Sequence, residues 1–214
     1  MPLIVCEIFT SIQGESSYSG LPCMFIRLSG CNLNCTWCDT LYASGHEGTP
    51  YHPEKLAALI NSSETNIVEF TGGEPLLQKK ELLKTLALIK KDKTILIETN
   101  GSVSLKGLSK DIIKIVDIKL PGSGEYGSFL YNNLSLMTKN DEIKFVVSDI
   151  KDYETMKTLI KQYGLEKKHK VLISRTSCAS ITDREIAELI INDRLDARYQ
   201  IQLHKYIWKD EKGR

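Results

Sequence analysis

Asn66-Ile67-Val68-Glu69-Phe70-Thr71-Gly72-Gly73-Glu74-Pro75 decides the fold. A short β-like run meets a double-glycine turn, and beyond Pro75 the residues Leu82, Leu86 and Ile89 share one helical face. The same alternation extends in both directions. Residues 23–28, 66–70, 94–98, 112–118, 143–147, 170–174 and 199–203 read as strands, several of them nearly continuous apolar runs, as strands covered on both faces require. Between them, Tyr153, Met156, Ile160 and Tyr163 mark one helical face, and Ile186, Leu189 and Ile190 another. Pro53 with Leu56, Leu59 and Ile60 predicts a short helix opening on a first-turn proline. Residues 101–111 show no clear period.

Alternating strands and helices imply a parallel α/β architecture with right-handed crossovers. About six units fit, too few for a closed eightfold barrel, so the expected fold is an open, partial parallel β/α barrel. Chemistry in such sheets gathers at the C-terminal strand ends, where loops and helix N-termini converge. No repeat, linker or low-complexity segment interrupts the chain, and the Lys-rich stretches 90–93 and 167–170 read as solvated helix ends and loops. Residues 1–214 read as a single domain, the number expected at roughly 150 residues per domain.

Hydrophobic residues make up 42% and charged residues 26%, ordinary globular composition. Lys and Arg number 28 against 27 Asp and Glu, and a net charge of +1 argues against gripping a nucleic-acid backbone. No apolar run is long enough for a membrane span. Met1-Pro2-Leu3-Ile4-Val5 lacks a basic region and meets Glu7 at once, unlike a signal peptide, so a cytoplasmic location is expected.

In a reducing compartment, clumped cysteines mean metal or redox chemistry more often than disulfides. Cys31, Cys35 and Cys38 lie within eight residues, spaced C-x3-C-x2-C, directly after the first good strand. Cys6, Cys23 and Cys178 are scattered and read as small buried hydrophobes. Three thiolates on one short loop can hold a soft metal centre and leave one position free. Structural zinc normally takes four protein ligands, and neither His46 nor His52 completes a usual zinc spacing. A 4Fe–4S cluster also usually takes four cysteines, so three imply one iron open to an outside ligand. Iron–sulfur and zinc both stand on spacing alone.

C-x3-C-x2-C with an aromatic residue before the third cysteine resembles the radical S-adenosylmethionine (SAM) superfamily, and Thr71-Gly72-Gly73-Glu74-Pro75 resembles its GGEP motif. The resemblance implies a 4Fe–4S cluster on Cys31, Cys35 and Cys38, whose open iron chelates the methionine moiety of SAM and whose electron releases a 5′-deoxyadenosyl radical. Trp37, Cys38 and Asp39 would lie by the cofactor, and Gly73 and Glu74 by its methionine amino group, where a carboxylate suits an ammonium. Thr99, Asp117-Ile118-Lys119 and Ser174-Arg175-Thr176-Ser177, at further strand ends, would hold its methionine, ribose and adenine.

Ser11-Ile12-Gln13-Gly14-Glu15, Phe25-Ile26-Arg27-Leu28, Cys38-Asp39-Thr40 and Gln202-Leu203-His204-Lys205-Tyr206-Ile207-Trp208 together resemble the 7-carboxy-7-deazaguanine synthase family. That family converts 6-carboxy-5,6,7,8-tetrahydropterin to the deazapurine precursor of queuosine-type bases. The resemblance places Ile12, Gln13, Gly14 and Glu15 on the pterin's hydrogen-bonding edge and Arg27 on the substrate carboxylate. It places the Thr40 hydroxyl on Mg²⁺, Thr71 facing the substrate and His204 within reach of it, His204 being read at the end of the last strand. It also implies a homodimer and a reducing partner such as flavodoxin or ferredoxin. A glycyl-radical activating enzyme would share the cysteine loop and GGEP but not Gln13–Glu15, Arg27 or the 204–208 run. A non-enzymatic zinc or cluster module would need none of these. Ser16 stands where a glycine often follows Gln-Gly-Glu, which predicts a changed backbone angle, and the charged residues 209–214 depart from relatives whose C-terminus closes over the substrate. His46, His52 and His169 read as loop residues without a role.

Overall fold

Valine- and isoleucine-rich runs form the centre of one nine-stranded sheet in the computed structural model, which describes residues 1–209, 211 and 213. Seven strands run parallel in chain order: β2 (Pro22–Leu28), β4 (Ile67–Gly72), β5 (Thr94–Thr99), β6 (Ile113–Asp117), β7 (Glu142–Val147), β8 (Lys170–Arg175) and β9 (Arg198–Tyr199). Each new strand adds beside the last, so the sheet curls as an open partial barrel, as the alternation predicts.

Two antiparallel strands that the sequence did not announce extend this parallel run. β1 (Leu3–Ile12) pairs antiparallel with β2, and β3 (Thr49–Tyr51) pairs antiparallel with β1 at the sheet edge. β1 is half-exposed along most of its length and so lacks the continuous apolar signature, while Pro50 is tolerated because β3 is an edge strand.

Four of the six parallel connections carry α-helices: α1 (Pro53–Ser62), α2 (Lys79–Leu86), α3 (Ile150–Tyr163) and α4 (Asp183–Asp193). α1 opens on Pro53, and Leu56 and Ile60 are buried on its inner face. α3 is capped by the Asp149 carboxylate accepting from Asp152 N, and Gly164 ends it in the left-handed region. The aperiodic segment 101–111 holds turns only. The buried Asn133 side chain replaces the missing helix there, donating to the Gly101 and Val103 carbonyls and accepting from Leu105 N at 2.9–3.0 Å.

Alternation within the strands separates two environments. Val68, Phe70, Ile97, Val116, Phe145 and Ile173 join the large core that also takes in Leu56, Leu82, Met156 and Ile186 from the helices. Cys23, Phe25, Ile67, Leu96 and Ile115 form a smaller apolar plug inside the curl, joined by Phe9 and Tyr18. Two residues further along the same strands stand Glu69, Glu98 and Asp117, which line the cavity over that plug.

The last expected strand is shorter than predicted. β9 is two residues long, and Leu203–Trp208 form a short helix, α5. Of the charged tail, Asp210, Lys212 and Arg214 lie outside the described residues.

Candidate active site

The cysteine loop leaves β2 at Leu28 and closes on itself: Gly30 N donates to Ala43 O at 2.8 Å and Cys31 N to Ser44 O at 3.1 Å. Neighbouring strand ends hold it from outside. Thr36 N donates to Ser123 O at 2.9 Å, Asn34 N to Glu125 Oε1 at 2.7 Å and Asn32 Nδ2 to Ser102 Oγ at 2.8 Å. Trp37 packs so closely on Gly122 that a β-carbon there would lie 2.8 Å from its Cη2. The double glycine comes against the start of this loop. Glu74 N donates to Gly30 O at 2.7 Å, and a side chain on Gly73 would collide with the Gly30 carbonyl and Cys31 Cβ. Only glycine permits that approach.

Cys31, Cys35 and Cys38 are free thiols around one cavity. Burial pushes the Cys31 and Cys35 thiols up. Among the described residues no three His, Cys, Asp or Glu side chains gather tightly enough for one metal ion. Three free thiols on one loop facing a shared cavity suit a cluster that takes three protein thiolates. Asp117 adds an opening for a second ligand: its Oδ2 accepts from Lys119 Nζ at 2.8 Å, while its buried Oδ1 has no partner among the described residues. The residues present thus fit a cluster with a polar, hydroxyl-bearing cofactor beside it.

The opposite wall comes from an unexpected direction. Pairing of Ile12 with Pro22 puts the β1–β2 loop at the strand end far from the cysteines, yet it folds back beneath the sheet into the cavity. Gln13 Nε2 donates to Glu69 Oε2 in a very close contact, Lys144 Nζ donates to Glu15 Oε2 at 2.6 Å, and Ser17 N donates to Glu142 Oε2 at 3.0 Å. The site is therefore not confined to C-terminal strand ends. Ser16 adopts a left-handed backbone (φ +58°), the region that favours glycine.

Arg27 reaches the cavity from β2, its Nε donating to Glu7 Oε1 at 2.6 Å. Tyr42 Oη donates to the same oxygen at 2.7 Å, and the guanidinium carbon lies 5.8 Å from the Phe9 ring centre and 6.0 Å from that of Tyr42. This cage fixes the plane of the guanidinium, whose Nη groups have no hydrogen-bond acceptor among the described residues.

The C-terminal segment completes the enclosure. His204 is on the first turn of α5, a correction to its expected place at a strand end, because Leu203 N donates to Gly14 O at 2.9 Å and the imidazole packs on Gly14. Any β-carbon on Gly14 would collide with that ring. Burial holds the His204 pKa below its ordinary value. Lys205 Nζ donates to Asp39 Oδ2 at 2.6 Å, tying α5 to the cysteine loop.

Ile12, Gln13, Gly14, Glu15, Arg27, the three cysteines, Trp37, Asp39, Thr40, Thr71, Gly73, Thr99, Asp117, Lys119, Thr176, Ser177 and His204 all line this one cavity. Glu74, Ile118, Ser174 and Arg175 do not. The Glu74 carboxylate is fully buried and accepts from Leu76 N, Thr99 Oγ1 and Asn100 N at 2.7–2.9 Å, which braces the turn after the double glycine. Ile118 belongs to the apolar core, the buried Ser174 hydroxyl lacks a partner among the described residues, and Arg175 faces outward to Asp183 at 2.9 Å. Cys178 is exposed, against its reading as a buried hydrophobe, whereas Cys23 is buried as expected. His169 is buried, its Nδ1 3.0 Å from Thr138 O.

Glu69, Glu98, Lys144 and Gln202 line the cavity without having been singled out by sequence. Glu69 and Glu98 are each the one charged residue of an otherwise apolar strand, and Lys144 shares β7 with Glu142, too sparse a pattern to mark a polar face.

A family model described as the radical SAM superfamily matches residues 25–173. The chain is 41% identical to a 7-carboxy-7-deazaguanine synthase of Koribacter versatilis, covering 97% of each. It is 37% identical to one of Chlorobaculum tepidum, covering 98% of this chain and 96% of the relative. Its fold matches the crystal structure of QueE from Escherichia coli with a TM-score of 0.78 at 26% identity, covering 95% of each chain. Streptococcus suis SuiB shares the fold more distantly, at a TM-score of 0.55 and 16% identity, over 81% of this chain and 47% of that one.

Proposed function

Because the chain belongs to the radical SAM superfamily and, within it, to the 7-carboxy-7-deazaguanine synthase family, we propose that it is the lyase that contracts 6-carboxy-5,6,7,8-tetrahydropterin to 7-carboxy-7-deazaguanine and ammonia. The observation that carries the reading is the shared cavity: three free thiols on one wall, and Gln13, Glu15 and Arg27 on the other. When bound, the cluster and SAM supply a radical that abstracts hydrogen.

The protein's residues position and shield. Cys31, Cys35 and Cys38 hold the cluster, and Trp37, Gly73, Thr99, Asp117 and Lys119 surround SAM. The Arg27 guanidinium, its plane set by Glu7, Phe9 and Tyr42, takes the substrate carboxylate. Gln13 can both donate to and accept from the ring edge, and the Glu15 carboxylate accepts from it. His204, whose pKa burial lowers, closes the side of the cavity. Thr40 supplies a hydroxyl ligand to Mg²⁺, an ion that tolerates few protein ligands. A flavodoxin- or ferredoxin-like protein delivers the electron, and the chain works as a homodimer; the family resemblance supports both.

An anaerobic assay of the reconstituted protein with the pterin, SAM, Mg²⁺ and dithionite, read by mass spectrometry, tests the reading. 7-Carboxy-7-deazaguanine forms, depends on SAM and disappears in Cys35→Ala. 5′-Deoxyadenosine without the deazaguanine would refute the substrate. Arg27→Ala raises the KM for the pterin at least about tenfold; an unchanged KM would remove Arg27 from the carboxylate.

A further inference from the structure

Beneath the cavity lies a cation to which the proposed reaction gives no task. Lys144 stands on the inner face of β7 with 6% of its side chain exposed, and its Nζ reaches Glu15 Oε2 at 2.6 Å and Glu98 Oε1 at 2.9 Å. The two carboxylates arrive from different directions, Glu15 from the loop under the sheet and Glu98 from β5, and both line the cavity. Each gives one oxygen to the ammonium. The other Glu15 oxygen accepts from Gln202 Nε2 at 3.0 Å, and Glu98 Oε2 lies 3.5 Å from the Thr71 hydroxyl.

Glu69 on β4 and Asp117 on β6 bring further carboxyl groups to the same floor, with Asp39 at the cysteine loop; Arg27, Lys119, His204 and Lys205 are the basic groups that face the cavity. Burial would lower the Lys144 pKa, but Glu15, Glu98 and Asp117 hold it well above the ordinary value. Burial would likewise raise Glu98, and Lys144 holds it below the usual carboxylate range. A buried ammonium with two carboxylates is costly to desolvate and is severely disrupted when one partner is lost.

We propose that Lys144 is a positioning residue: it draws Glu15 and Glu98 together and presents their carboxylates to the ring N–H groups of the substrate. This rests on the pterin reading of the cavity. A reduced aminopyrimidinone ring system is rich in N–H donors, and ionised carboxylates only accept. Lys144 acts through the two acids and does not meet the reacting atoms.

The test compares reconstituted wild type with Lys144→Met, which keeps length and removes charge, and with Lys144→Arg. Lys144→Met raises the KM for the pterin at least about tenfold, leaves SAM affinity and cluster absorbance unchanged, and moves the acidic limb of the kcat/KM profile to higher pH. Lys144→Arg recovers most of the loss. Infrared titration of the full chain gives a readout independent of turnover. Lys144→Met gains a carboxylic-acid C=O band near neutral pH, and adding Glu15→Gln or Glu98→Gln removes it. An unchanged KM with no new band overturns the proposal; so does a parallel loss of SAM binding and cluster, which marks a merely structural lysine. If wild type does not turn over the pterin, the substrate reading falls, and the infrared band alone upholds or overturns the assignment of Lys144 to the two acids.

Discussion

Gly14 carries a constraint out of proportion to its size, because the His204 ring fills the space a β-carbon would need. Gly14→Ala forces α5 from its seat. We expect a loss of roughly 1–3 kcal/mol in denaturant unfolding, the usual cost of overpacking, together with a raised KM for the pterin. Glu69 makes a second single-residue case. Burial first, and the neighbouring Glu98 charge second, push its carboxyl well above the ordinary range. A raised folded-state pKa favours the folded state fully below the unfolded value of about 4.3, and that contribution is lost as pH rises through the folded value. Glu69→Gln therefore stabilises the protein at pH 8 more than at pH 5, measured as the midpoint difference in urea. A constant difference across that range would show that Glu69 stays ionised.

Single elements here depend on side chains that no periodicity announces. Asn133→Ala deletes three hydrogen bonds to segment 101–105 and leaves buried backbone groups unpaired. It should cost roughly 3 kcal/mol, read from the urea midpoint. The cysteine loop behaves in the opposite way, since its anchors run through Asn32, Asn34, Thr36 and backbone amides. Replacing Cys31, Cys35 and Cys38 together by Ala should leave the cluster-free protein within about 1 kcal/mol of wild type in unfolding, while abolishing cluster uptake. A collapse of the apo fold would mean that the thiols pack the loop. Legibility followed the same division. Continuous apolar runs gave β2 and β4–β8 closely, because two covered faces leave an unmistakable pattern. β1 and α5 escaped because half-exposed or short elements carry a weak period, and α5 is set by contacts with residues nearly two hundred positions away.

At the scale of the whole molecule, the sheet supplies one partly closed wall and two distant segments supply the rest. The loop after β1 braces β4 and β7 from below through Glu69, Lys144 and Glu142, and α5 joins it to the cysteine loop through Gly14 and Asp39. Spacing made the cysteine loop and the double glycine readable. The polar floor was not readable, because its members sit singly on four different strands and only the curl of the sheet brings them together. Breaking the long-range tether with Lys205→Ala should raise the KM for the pterin several-fold with little change in thermal midpoint, since a surface ion pair is worth about 0–1 kcal/mol.

The seating of α5 also sets an order of manufacture. Every parallel strand leaves the ribosome before residues 203–208 do, so a growing chain builds the cysteine loop while one flank of its future enclosure is still missing. α5 is thus the last-made stopper of that enclosure. A finished protein whose stopper is dislodged, as in Gly14→Ala, should accordingly take up iron and sulfide faster in vitro than wild type; equal rates would mean that α5 does not guard that entrance.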